Sequence, residues 1–265
     1  MNLLSTLRLL PMATYVVLIY SFIVLPVAVL VLFSFQEGQL PVPPMRGFSL
    51  QWYEQVFANE RLMEALWNSI AVALLCSAFA TLVGFLAAYG LARYRLNGAT
   101  LLRWMLIAPL SVSYLIIGMG LLIFINTVGI PKSLWAVGIG HVVLNLPLTF
   151  AILFSQMGAQ QINLERAARD LGAAEWQVLL LITIPLLWPA LLAAFFLSVT
   201  LSWDEFIIAF LLTRFEVTLP VEIWSMLRSG LSPATNAVGT LVFAVSIFLV
   251  LILEMILAAR RRYRA

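Results

Sequence analysis

Charge is scarce in this sequence. Only 10% of its 265 residues are Asp, Glu, Lys or Arg, and the mean hydropathy is +1.04. Soluble domains carry about 25% charged residues, so a water-soluble fold of this length is excluded. Cysteine is nearly absent. The single Cys76 lies inside an apolar run, can form no disulfide within the chain and reads as an inert buried thiol. Histidine is also single, at His141. No His, Cys and carboxylate cluster has metal-ligand spacing, and no Ser/His/Asp set, phosphate-cradling glycine loop or nucleotide motif is present. Enzymatic chemistry within the chain is therefore not expected, and ATP hydrolysis by the chain itself is not expected either. Ion-coupled transporters keep ionisable residues in the middle of their apolar runs; here the first three runs have none and the fourth has only His141.

What remains is a series of long apolar runs. We read six membrane spans, each long enough for about 30 Å of hydrocarbon: roughly 12–33, 66–91, 104–125, 134–154, 186–210 and 236–257. The first is a retained helix, since the stretch after it offers no small-residue cleavage site. The second holds Ala71, Ala73, Ala78, Ala80, Gly84, Ala87, Ala88 and Gly90. Small residues at that density mark a helix packed against other helices. Between the first two spans, 36–64 is polar and proline-rich. Its second half reads as a short amphipathic helix with Trp52, Tyr53 and Phe57 at the membrane face. Residues 211–235 read as a second water-exposed segment. The fold class is all-α: a polytopic membrane protein forming a single transmembrane domain over 1–265, with its core at 66–258.

The 15 basic residues fix the expected orientation. With the N-terminus inside, Arg8, Arg93, Arg95, Arg103, Arg166, Arg169, Arg260, Arg261, Arg262 and Arg264 lie on the inner side. Arg46, Arg61, Lys132, Arg214 and Arg228 lie outside. The excess of cytoplasmic arginine follows the positive-inside rule. The basic balance is thus a topology signal, and no nucleic-acid partner is expected.

The most charge-dense stretch is Asn163–Pro185, NLERAARDLGAAEWQVLLLITIP, within a loop at 156–185. Asn163 reads as an N-cap, which puts Glu165 in a first helical turn. Glu165–Arg169 and Arg166–Asp170 have i,i+4 spacing. Leu164, Ala167, Ala168 and Leu171 share the opposite face, where two alanines let a partner surface come close. Gly172 reads as an αL stop, and a second helix restarts near Ala174. These features alone also fit an ordinary amphipathic helix lying at the membrane interface.

Spacing adds a resemblance. Arg166-Ala167-Ala168, three residues, Gly172, nine residues, Ile182-Thr183-Ile184-Pro185 resembles the EAA loop of ABC-importer permeases. In that family the pattern is Glu-Ala-Ala, three residues, Gly, nine residues, Ile, any residue, Leu-Pro. Arg166 stands where the family has Glu, and Ile184 where it has Leu. The resemblance implies that Glu165, Arg166, Ala167, Ala168, Asp170 and Gly172 form the coupling contact to an ATPase subunit.

Downstream, Thr200-Leu-Ser-Trp-Asp-Glu-Phe206, Thr218-Leu-Pro-Val-Glu-Ile-Trp224, Arg228-Ser-Gly230 and Ser232-Pro-Ala-Thr-Asn-Ala237 look like the second permease of spermidine/putrescine-type importers. The similarity covers roughly 66–250. It implies the fold of type I ABC importer permeases and a localisation in the bacterial inner membrane with both termini cytoplasmic. It also implies a set of partners: a second permease, two cytoplasmic ATPase subunits, an extracytoplasmic substrate-binding protein and membrane lipid. No cofactor is expected in this chain, since ATP and Mg would be bound by the ATPase partners. The implied cargo is a small, cationic solute such as spermidine or putrescine. Polyamine permeases carry an acidic residue a few positions after the site of Pro109; Ser113-Tyr114 stands here instead. That departure keeps opines and other amine-containing nutrients open as cargo. A channel or a membrane-embedded enzyme is the competing class.

Four residues are candidates for the substrate pathway: Asp204, Glu205, Trp203 and Tyr114. Two carboxylates near the end of a span either attract a cationic amine, or snorkel into water and pair with Arg214 or Arg228. Trp203 and Tyr114 read either as walls for a cation or as interfacial aromatics. His141 reads as a packed, hydrogen-bonded histidine, and Glu254 as a carboxylate snorkelling near Arg260–Arg262.

Overall fold

The computed structural model describes residues 3–45, 47–230 and 232–262. Arg46 and Arg264 of the charge count lie outside the described residues. The described chain is built of helices, in this order: α1 (Leu3–Ser34), α2 (Gln51–Ala58), α3 (Glu60–Arg93), α4 (Ala99–Ile107), α5 (Tyr114–Val128), α6 (Leu134–Gln156), α7 (Ala159–Asp170), α8 (Glu175–Val178), α9 (Ile184–Trp203), α10 (Ile207–Leu212), α11 (Leu219–Ser229) and α12 (Pro233–Arg262). Among the described residues, five helical segments are long and apolar enough to cross a membrane: Thr14–Ser34, Glu60–Arg93, Leu134–Gln156, Glu175–Trp203 and Pro233–Ile256.

The third expected span needs correction. It is not one straight helix over 104–125. Ala99–Ser111 and Tyr114–Val128 meet at a bend of 109°, and count as a sixth span only if the bent pair is taken as one. Pro109 lies in a tight turn at Ala108–Ser111, and Val112 and Ser113 are then extended. Pro109 has no N–H to continue an α-helical ladder, so the break falls beside it.

The described residues form two compact units, one within Met1–Met63 and Ile223–Val245, the other within Glu64–Glu222 and Ser246–Ala265. In the first unit, α2 is fixed to the segment after α1. Trp52 Nε1 donates to the Gln36 carbonyl at 2.6 Å, and the Ser34 and Tyr53 hydroxyls lie 2.7 Å apart. Two of the aromatics read as interfacial are thus also hydrogen-bonded anchors, while Phe57 is exposed.

The second unit is built on α3 and α6, 44% of whose apolar windows is buried. The small residues of α3 explain this. A Cβ at Gly84 would collide with Thr149 Oγ1 and the Phe150 backbone nitrogen, so the two helices touch at backbone distance. Thr149 Oγ1 donates to the Ala80 carbonyl at 2.9 Å across the same contact. One apolar cluster gathers Val72, Ile125, Val137, Ile208 and Leu212; another gathers Phe85, Phe150, Leu153 and Leu187. The expectation of a water-exposed 211–235 is corrected in part: Arg214, Phe215, Glu216 and residues 227–230 are exposed, but other positions are not. Leu212, Thr218, Leu219, Val221 and Glu222 are buried. The Leu219 N–H donates to Ser69 Oγ at 2.7 Å, and Asn68 Nδ2 donates to the Val217 carbonyl at 3.1 Å. Polar side chains of α3 satisfy this backbone, which is what permits its burial.

Candidate functional site: the 158–185 segment and the acidic pair at 204–205

The charged segment folds as two helices around one glycine. α7 begins earlier than the sequence indicates: Gly158 is the N-cap, and Asn163 lies inside the helix. The stop falls where expected. Gly172 has φ +87°, its N–H donates to the Arg169 carbonyl at 2.9 Å, and the Ala173 N–H donates to the Ala168 carbonyl at 3.0 Å. This paired closure is a Schellman motif, which satisfies the last carbonyls of α7. Nothing lies within 4 Å of a Cβ built on Gly172, so the turn is open to an approaching surface. The next helix starts at Glu175, with the Ala174 N–H capped by Gln177 Oε1 at 2.8 Å.

The six residues of this segment divide by exposure. Arg166, Ala167, Asp170 and Gly172 are exposed, and Ala168 is half-buried. Leu164 and Leu171 stand beside them at 46% and 90% exposure, as does Trp176 at 62%. Three large apolar side chains are thus exposed on and just after α7. Among the described residues, the ion pairs of α7 are made by Glu165 and Arg169 and not by Arg166 with Asp170.

Glu165 points the other way and is fully buried. Its carboxylate accepts from Arg93 Nε at 2.6 Å and Arg93 Nη2 at 3.0 Å, a bidentate fork from the last residue of α3. Thr183 Oγ1 donates to the same carboxylate at 2.9 Å. The i,i+4 partner Arg169 is only a peripheral neighbour at 4.0 Å; it binds Glu175 instead, at 2.7 and 3.0 Å. That hydrogen bond is the main reason the Arg169 guanidinium is held above its ordinary value. Thr183 closes a widened π-type turn over Leu179–Thr183, just before Pro185. Widened turns of this kind occur often at functional sites. No sequence spacing links Arg93 to Glu165, which are 72 residues apart. The only available signal was an arginine ending an apolar span.

The acidic pair splits too. α9 ends at Trp203, and Asp204 follows as its exposed C-cap. Glu205 turns inward. Its carboxylate accepts from the backbone N–H groups of Ile207 (2.9 Å), Ile208 (2.9 Å) and Ala209 (3.3 Å), capping α10. His141 joins it from α6: Nε2 lies 3.6 Å from Glu205 Oε2, and Nδ1 lies 2.5 Å from Ser202 Oγ. His141 is thus packed and hydrogen-bonded between helices. Arg214 lies over the Phe215 ring at 5.0 Å. Trp203 is 3% exposed and Tyr114 41% exposed. The structure therefore brings Glu205 to His141 and leaves Asp204 and Tyr114 accessible. Among the described residues, no group of three His, Cys, Asp or Glu could hold a metal ion.

A bundle of apolar helices carrying an open EAA-like turn is the architecture of an importer permease. The family model for "binding-protein-dependent transport system inner membrane component" matches residues 80–263, and the chain belongs to this family of ABC importer permeases. It is a multi-pass inner-membrane protein that works with other subunits of its transporter.

Among curated proteins, the chain is 31% identical over 240 residues to the spermidine/putrescine transport system permease protein PotC of Escherichia coli, covering 90% of each chain. It is 30% identical over 231 residues to the putrescine transport system permease protein PotI of the same species, covering 84% of this chain and 82% of that one. It is 28% identical over 243 residues to a putative 2-aminoethylphosphonate transport system permease protein of Salmonella typhimurium, covering 91% of each. Among solved structures, a bacterial ABC transporter involved in the import of the acidic polysaccharide alginate superposes with a TM-score of 0.71. It has 17% identity and covers 98% of both chains, a likeness of fold.

Proposed function

We propose that this chain is one permease half of an ATP-driven importer for a small cationic amine of the spermidine/putrescine class. It acts as a single permease domain and pairs with a second permease, two cytoplasmic ATPase subunits that bind ATP and Mg, and an extracytoplasmic binding protein. Both termini face the cytoplasm, following the arginine distribution. The observation that carries the reading is the open Gly172 turn. Arg166, Ala167 and Asp170 face outward on a helix tied to the end of a membrane span. Such a surface receives a push and passes it to the bundle as a rigid-body movement.

The polyamine assignment is supported by the relatives' names and by the exposed Asp204 carboxylate at the end of α9. Tyr114, exposed at the start of α5, is the second candidate along the pathway. A second reading, another amine-bearing solute, is favoured by Ser113-Tyr114 at the α4–α5 break and by the aminoethylphosphonate relative.

Uptake of labelled putrescine and spermidine tests this in cells that lack other polyamine importers and express the full transporter. Uptake that appears with the full transporter and falls strongly in Asp204→Asn, at unchanged membrane levels of the chain, is expected. No polyamine uptake by a transporter that moves a neutral or anionic solute would overturn the cargo assignment.

A further inference from the structure

Glu165 lies on the segment that the proposed function treats as the docking surface, yet it is buried and cannot touch a docked partner. Its carboxylate gathers three separate elements. Arg93 ends α3, Thr183 closes the widened turn that leads into α9, and Glu165 itself sits in the middle of α7. Arg169 extends the chain of contacts outward, 4.0 Å from Glu165 on one side and hydrogen-bonded to Glu175 of α8 on the other. Arg93 also lies 5.9 Å over the ring of Tyr89, one turn back on α3.

We propose that the Arg93–Glu165–Thr183 cluster is the strut that converts displacement of α7 into movement of α3 and α9. Glu165, Arg93 and Thr183 are positioning residues that act through the neighbouring coupling surface. The inference rests on the reading of that surface as the ATPase contact.

The physical argument is directional. A docking helix attached only by apolar packing can slide over the bundle when pushed. A bidentate guanidinium–carboxylate fork fixes both distance and angle. Buried at 6% and 0% side-chain exposure, it is shielded from competing water. Thr183 donates to Oε1, the oxygen that also receives Arg93 Nη2, so one atom of α7 holds α3 and the approach to α9 at once. The Arg169–Glu175 pair is different: it lies at the exposed edge of the segment and reaches only the first residue of α8.

The test uses the complete transporter in proteoliposomes, with Arg93→Gln, Glu165→Gln, their double variant and Thr183→Val. Three quantities are read: ATPase subunit retained on purification, ATP hydrolysis stimulated by loaded binding protein, and solute moved per ATP. In the single amide variants the ATPase stays bound, because the outward face is unchanged. Solute moved per ATP falls about tenfold, within the ordinary range of inter-site coupling. The double variant falls no further than either single one. Thr183→Val, which removes one hydrogen bond at nearly constant shape, gives a smaller fall in the same ratio, and it decides the question if the amide variants do not assemble. An unchanged ratio, with hydrolysis and uptake declining in parallel, would show a merely structural pair and overturn the proposal. So would independent, multiplying losses in the double variant. Gly172→Glu, on the outward face, separates the two readings: if it leaves ATPase binding and transport intact, the docking surface itself is wrong.

Discussion

Two adjacent carboxylates, Asp204 and Glu205, look equivalent in sequence, and the structure predicts opposite consequences for neutralising them. Glu205 holds three backbone N–H groups of α10, and those of Ile208 and Ala209 belong to fully buried residues. Glu205→Ala leaves these two donors without a partner. At roughly 1–3 kcal/mol for each buried unsatisfied group, the loss is about 2–6 kcal/mol. Glu205→Gln keeps one acceptor oxygen but removes the charge, and costs about 1–2 kcal/mol. Each kcal/mol corresponds to roughly 2–4 °C in melting temperature for a chain of this size class, so the glutamine variant should melt about 2–8 °C lower. Asp204 is exposed, and Asp204→Asn should stay within about 0.5 kcal/mol of the parent. Thermal unfolding of the purified transporter in detergent, followed with uptake of a cationic solute, reads both effects. Glu205 variants lose stability with a common proportional loss of all transport. Asp204→Asn keeps stability and loses cation uptake selectively. An unshifted melting temperature for Glu205→Ala, or an equal loss for Asp204→Asn, would refute the division of roles.

Further predictions concern the turn, the packing and the topology. Gly172→Ala places a non-glycine residue at φ +87° with open space around its Cβ. It should cost roughly 1–2 kcal/mol from backbone conformation alone, and Gly172→Asn less, as measured by melting and by ATPase retention. Gly84→Val should prevent α3 from meeting α6, because even a Cβ collides there, and the chain should then fail to reach the membrane at normal levels on immunoblots. In a Cys76→Ala background, impermeant thiol reagents applied outside should label cysteines at the exposed Gln39 and Phe215 and not at the exposed Leu171. Outside labelling at Leu171 would reverse the orientation.

The membrane-spanning architecture was legible because the apolar runs are long and the small residues of α3 announce a packed helix. The turn at Gly172 was legible because a left-handed residue after a helix leaves a glycine at a fixed place. The bend at Ala108–Tyr114 was less so: hydropathy is continuous through Pro109, and only the local backbone reveals the break. The start of α7 was missed since Asn163 has a good capping side chain, while Gly158, five residues earlier, caps without one. Side-chain direction was the largest gap. Glu165 and Arg166 are adjacent, and so are Asp204 and Glu205, yet in each pair one member is buried and the other exposed. Which one turns inward depends on Arg93 and on the N-terminus of α10, and neither is marked by local spacing. Likewise 211–235 reads as water-exposed in sequence, but Ser69 and Asn68 of α3 supply the partners that let the part around Thr218–Glu222 be buried.

Solute-dependent ATP hydrolysis by the reconstituted transporter bears most directly on the central claim, that this chain is the permease half of a cation importer. Proteoliposomes holding both permeases and the ATPase subunits, given binding protein loaded with spermidine or putrescine, should hydrolyse ATP faster and accumulate the solute. Omitting this chain should abolish both. Equal hydrolysis with empty and loaded binding protein, or solute entry that continues without ATP, would contradict the claim.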